Sequence, residues 1–145
     1  MTLVLRHVIG HIRARWPAVD IVVRGDSHYA RPKAMAWCER QRAGYIFGLA
    51  CNPVLPRQVG PLAEDAALGR LAGEAEKVRR WGNLPLCRQD LDGRAPRHRP
   101  RQSRGQSLAP AKAGGVDSRF IVTNLPGLPK TLYEKVYCAR RQAET

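Results

Sequence analysis

Tyr137, Arg140 and Glu144 follow one another at intervals of three and four residues. At about 3.6 residues per turn this spacing stacks them on one helical stripe, with Tyr133 one turn further back. A phenol, a guanidinium and a carboxylate then share a face. Leu132, Val136, Ala139 and Ala143 occupy the opposite register and are expected to be the buried side. A second carboxylate, Asp26, lies in the polar turn Arg24-Gly25-Asp26-Ser27-His28-Tyr29, just after a β-branched run. The C-terminal edge of a strand is where open α/β sheets place their ligands. Asp26 and Glu144 together supply the hard oxygen donors, from distant segments, that divalent cations require. Two carboxylates do not complete a metal site. An Asp that caps its own turn and a Glu that is a solvated helix charge remain open readings of each residue taken alone.

The elements that must position these groups are legible from periodicity. Leu5, Val8, Ile9, Ile12 and Trp16 form a helical stripe that Pro17 ends. Val19 to Val23 reads as a short buried strand. Pro32 opens a helix over 32–42, closed by Gly44, and Tyr45 to Ala50 reads as a second buried strand. Helix, strand, helix, strand is the grammar of an α/β sheet with crossover helices. Leu62, Leu68, Leu71, Ala75 and Val78 predict a further helix, with Glu76 and Arg80 paired on its exposed side. From Arg88 to Gly115 the only large aliphatic residues are Leu91 and Leu108, and disorder is the expectation there. A strand follows over 119–125, Pro126, Gly127 and Pro129 make a turn, and the last helix begins near Lys130. With no Gly or Asn cap after Glu144, that helix reads as cut rather than finished.

Composition bounds the partner. The 145 residues suit one compact domain or part of a larger one. The excess of 25 Lys and Arg over 12 Asp and Glu gives a formal charge of +13. A surplus of that size points to a polyanion, nucleic acid first, with a basic surface lacking a specific ligand as the rival. No membrane-spanning run or signal peptide is present, and a cytoplasmic setting is expected. Cys38, Cys51, Cys87 and Cys138 are scattered, which predicts reduced thiols rather than a disulfide framework or zinc site. His7 and His11 stand four apart with no third ligand nearby and read as ordinary surface or boundary histidines.

Two blocks go further. One is Val23-Arg24-Gly25-Asp26-Ser27-His28-Tyr29-Ala30, followed by Met35-Ala36-Trp37-Cys38-Glu39 and Tyr45-Ile46-Phe47-Gly48-Leu49-Ala50. The other is Asp117-Ser118-Arg119-Phe120-Ile121-Val122-Thr123-Asn124-Leu125-Pro126-Gly127, running into Leu132-Tyr133-Glu134-Lys135-Val136-Tyr137-Cys138-Ala139-Arg140. Together they resemble the DDE-type transposases of bacterial insertion sequences, specifically the group 1 transposase DDE domain. Tyr137, Arg140 and Glu144 match that group's Y-x2-R-x3-E signature, and the resemblance covers about 1–80 and 116–145.

The resemblance implies an α/β fold, a ribonuclease-H-like catalytic core with an insertion before the final helix. It further implies a DNA transposase in which Asp26 and Glu144 are catalytic metal ligands and Tyr137 and Arg140 contact DNA. Three carboxylates hold two Mg2+ ions in that mechanism. The implied partner is transposon-end DNA, on which intact family members dimerise. The first catalytic Asp belongs on an upstream strand, and no Asp precedes Asp20. The expected organisation is therefore an incomplete core over 1–80, a basic disordered or out-of-frame segment over 81–115, and the last strand and catalytic helix over 116–145. On this reading the chain is an inactive internal piece of a transposase. A non-catalytic basic nucleic-acid-binding remnant is the alternative.

Overall fold

The computed structural model describes residues 2–50, 52, 54–73, 78–86, 103–112 and 115–139. The first helix, α1 (Thr2–Arg15), buries Leu5 and Ile9. It stops where Pro17 removes a backbone donor, its last bond running from Trp16 N to Ile12 O. Strand β1 (Val22–Gly25) follows. It starts three residues later than the β-branched run suggested, because Val19 N is held in a turn on Trp16 O. Pro32 at the first turn starts α2 (Pro32–Arg40), which buries Ala34, Met35, Trp37 and Cys38. Arg42, at φ 51°, takes the left-handed position that turns the chain into β2 (Gly44–Leu49).

Helix α3 (Val54–Leu71) departs from the predicted stripe. Its inward residues are Leu55, Val59 and Ala66, whereas Leu68 and Leu71 are exposed. The helix ends before Gly73, which takes φ +79°, so Val78 lies beyond it and packs back on Ala66. Arg80 is accordingly on a strand, where its Nε donates to Asp65. The expected partner Glu76, like Ala75, lies outside the described residues.

Strands β3 (Arg79–Leu86), β4 (Ser103–Lys112), β5 (Gly115–Val116) and β6 (Arg119–Thr123) complete the sheet in the order β1-β2-β6-β4-β3, with β5 paired to β4. β1 and β2 are parallel, and every other pairing is antiparallel. β4 falls within the segment 88–115 for which disorder was the expectation, and β3 from Trp81 onward within the stretch 81–115 read as basic disordered or out-of-frame. β4 is hydrogen-bonded on both sides, Trp81 opposite Leu108 and Val122 opposite Gly105. Backbone pairing on two edges orders a segment that has few large apolar side chains of its own. Residues 87–102 lie outside the described residues.

The sheet is covered on both faces, as the alternation of side chains along β2 and β6 requires. Tyr45, Phe47 and Val122 join Leu5, Ile9, Met35 and Trp37 beneath α1 and α2. Phe120 packs with Leu55 and Val59 of α3. On the other face, Ile46 and Ile121 meet Leu132, which begins the π-helical segment Leu132–Tyr137 continuing directly from α4 (Pro129–Thr131). The result is a mixed α/β layer structure.

Beyond Thr123 the ladder is carried on by side chains. Asn124 Oδ1 accepts from Tyr45 N at 2.7 Å, and its Nδ2 donates to Ala43 O at 3.2 Å. Thr123, fully buried, donates from Oγ1 to Tyr45 O at 2.6 Å and accepts from Leu125 N at 3.0 Å.

Candidate active site

Asp26 leaves the C-terminal end of β1, as its position after the β-branched run predicted. The turn is self-capped: Asp26 Oδ1 accepts from His28 N at 2.9 Å, and Tyr29 N donates to Asp26 O at 3.1 Å. His28 Nδ1 stands 3.4 Å from the same Oδ1. The carboxylate is two-thirds exposed, with side-chain accessibility of 67%, and its Oδ2 has no hydrogen-bond partner among the described residues. One oxygen thus fixes the side chain while the other faces outward, open to a cation or a donor.

Tyr137 comes to this turn from the far end of the chain. Its hydroxyl sits on Gly48 of β2, so close that a Cβ there would overlap Oη, and the same Cβ would lie 3.5 Å from Ser27 N. Arg24 of β1 clamps the helix from the other side, donating from Nη1 to Val136 O at 3.2 Å. Burial pushes the Tyr137 phenol above its ordinary range. Cys138 and the negative charge of Asp26 push in the same direction, against Arg119 and Arg24. The phenol is thus within electrostatic reach of the Asp26 carboxylate.

The aromatic face continues along the helix. Tyr133 lies 5.6 Å from Tyr137 between ring centroids, and Trp81 of β3 lies 5.6 Å from Tyr133. Arg119 of β6 shares a side-chain hydrogen bond with Tyr133, which is the main cause raising its own affinity for the proton. Tyr133 and Tyr137 were expected on the face away from Leu132 and Val136. All four instead join the cluster around Ile46 and Ile121. The wider π-helical turn brings both registers against the sheet.

Arg140 and Glu144 lie outside the described residues, so the convergence of Glu144 with Asp26 is not part of the geometry above. Among the described residues no group of three or more His, Cys, Asp and Glu is placed to hold a metal. The rings of His7 and His11 stand 4.5 Å apart, centroid to centroid. The residues that sequence reasoning did not single out are Gly48, Arg24 and Arg119. Gly48 carried a signal, since a glycine inside an otherwise large and apolar strand marks a close approach.

The family model for transposase DDE domain group 1 matches residues 1–145, the whole chain. The chain belongs to that family. No curated protein and no solved structure matches it significantly. Membership in a transposase DDE family supports a transposase function and a DNA substrate, and members of such families usually use a divalent metal. No helix among the described residues is long and apolar enough to cross a membrane.

Proposed function

We propose that this DDE domain carries part of the centre that cuts and joins strands at transposon ends, within a ribonuclease-H-like core. The observation that supports this reading most is the approach of Tyr137 to the Asp26 turn across Gly48. It joins the two sequence blocks in space. Asp26 suits a Mg2+ ligand: it is a hard oxygen donor, accessible, held by one oxygen and free at the other. When bound, paired Mg2+ ions would activate the attacking oxygen and stabilise the leaving oxygen of an in-line phosphoryl displacement. Glu144, seven residues after Tyr137, is the proposed second carboxylate. Arg140 would hold a phosphate by two parallel N–H bonds, and the Tyr137 hydroxyl would donate to the same backbone. Among the described residues β1 is hydrogen-bonded only to β2, which leaves an edge where a strand bearing the first catalytic Asp could pair. Without that Asp the chain is expected to be inactive alone, and intact relatives would act as dimers on DNA.

Iron-directed cleavage tests the site without relying on turnover. With Fe2+ in place of Mg2+, ascorbate and peroxide should cut the polypeptide near residues 26 and 144. Excess Mg2+ should suppress both cuts, and Asp26→Asn should remove them. Cutting elsewhere, or cutting indifferent to Asp26→Asn, would overturn the metal-ligand assignment. In parallel, the purified chain with transposon-end DNA and Mg2+ should give no specific nicking. Nicking that disappears in Asp26→Ala would refute the expected inactivity.

A further inference from the structure

On the opposite face of the sheet from Tyr137, α1 and α2 enclose a cleft of about 470 Å³. Its lining is Arg6, Ile9, Gly10 and Arg13 from α1 and Trp37, Arg40 and Gln41 at the end of α2. Three arginines line it, and among the described residues no acidic side chain does. Arg13 ties the walls together, donating to Pro17 O at 3.1 Å and to Gln41 O and Arg42 O at 3.3 and 3.4 Å. Arg6 and Arg40 make no hydrogen bond or ion pair among the described residues. Gly10 keeps the wall low: a Cβ placed there meets nothing within 4 Å. A helix-interior glycine costs roughly 1 kcal/mol relative to Ala, and nothing in the packing of α1 requires it.

We propose that this cleft is a second phosphate-binding site, which seats the backbone of duplex DNA on the face of the sheet opposite Tyr137. Arg6 and Arg40, with no partner among the described residues, select a polyanion with planar, bidentate acceptors, and Arg13, whose terminal nitrogens bond backbone carbonyls, adds its charge to the same field. The spacing favours a polymer over a single small anion. Arg6 and Arg13 are two turns apart on one helix face, about 10 Å along the axis, close to the rise of about three nucleotides on one strand. The site needs no metal, so it stands or falls separately from the proposal for Asp26.

Fluorescence anisotropy with a labelled duplex, in EDTA and over a range of salt, tests this on the full chain. Replacing Arg6→Gln and Arg40→Gln together removes two phosphate contacts. The slope of log Kd against log salt should then fall by about 1.8, with Kd rising at least about tenfold at low salt. The charge-matched pair Arg15→Gln and Arg57→Gln, exposed outside the cleft, should change the slope by less than about 0.5. Gly10→Leu fills the cleft without altering charge and improves helix propensity, so it should fold as wild type by circular dichroism and raise Kd about fivefold or more. It carries the test if the double arginine variant fails to fold. Equal weakening by the charge-matched pair, wild-type binding by Gly10→Leu, or displacement of the duplex by about 10 mM inorganic phosphate would each overturn the proposal. Tighter binding of an RNA duplex, lost in the same variants, would overturn the assignment to DNA.

Discussion

Gly48→Ala isolates the contact on which the active-site geometry rests. The background expectation has the opposite sign to the prediction: a glycine inside a strand is usually worse than alanine by about 0.5–1 kcal/mol. Here the added methyl overlaps Tyr137 Oη, with Tyr137 Cζ at 3.3 Å. Forcing a methyl into a packed site costs about 1–3 kcal/mol. The ring has one escape, to swing away, which forfeits its pairing with Tyr133, worth about 0.5–1.5 kcal/mol beyond area, together with its burial on Ile46 and Ile121. Either response leaves Gly48→Ala less stable than wild type by about 0.5–2 kcal/mol. Tyr137→Phe removes the overlapping oxygen, so the double variant should recover about 1 kcal/mol relative to the sum of the singles. Urea unfolding followed by tryptophan fluorescence measures all four corners of the cycle. A stabilised Gly48→Ala, or additive single variants, would show that Tyr137 does not rest on β2 and would remove the link between the terminal helix and Asp26.

Two further outcomes follow from the interior. Thr123→Val keeps the shape but leaves Leu125 N without its acceptor and takes a donor from Tyr45 O. It should cost about 1–3 kcal/mol, which is about 2–4 °C in Tm per kcal/mol; Thr123→Ser, retaining the hydroxyl, should keep most of it. Burial raises the phenols of Tyr45, Tyr133 and Tyr137, and for Tyr45 the neighbouring Glu39 adds to the effect. The folded state favours their neutral form, so this contribution is fully present below about pH 10, the unfolded value, and is lost as pH rises through the folded values. Absorbance at alkaline pH should show Tyr45, Tyr133 and Tyr137 ionising together with unfolding; ordinary titration of these three without loss of circular dichroism would contradict the packing.

Local elements were legible because their causes are local. Pro17 and Pro32 bound α1 and α2 within two residues of expectation, and the unbroken apolar run of Tyr45, Ile46 and Phe47 marked a strand covered on both faces. Asp26 was legible as a strand-end carboxylate. α3 was misread because Leu68 and Leu71 outweigh Val59 and Ala66 in hydrophobicity. Burial there is set by where the helix meets Phe120 and Leu84, which no local pattern contains. β4 was missed for a related reason: Ser, Gly and Ala carry no strand signal, and its order comes from partners on both sides. The inward turn of Tyr133 and Tyr137 depends on a helix wider than the 3.6-residue repeat used to assign their face.

The middle of the sheet is assembled from far apart in the chain. β2 pairs with β1 across Val22 and Gly44, a separation of 44 − 22 = 22 residues, but with β6 across Ile46 and Thr123, 123 − 46 = 77 residues. Closing the longer loop costs about 1 kcal/mol more in chain entropy. On a ribosome, β2 would therefore emerge with one edge satisfied and the other, flanked by Ile46 and Phe47, bare until Thr123 is made. The sheet is sealed late, by the strand that leads directly into the helix bearing Tyr137. Completion of the core and delivery of that tyrosine to the Asp26 turn are thus a single event in the life of the chain.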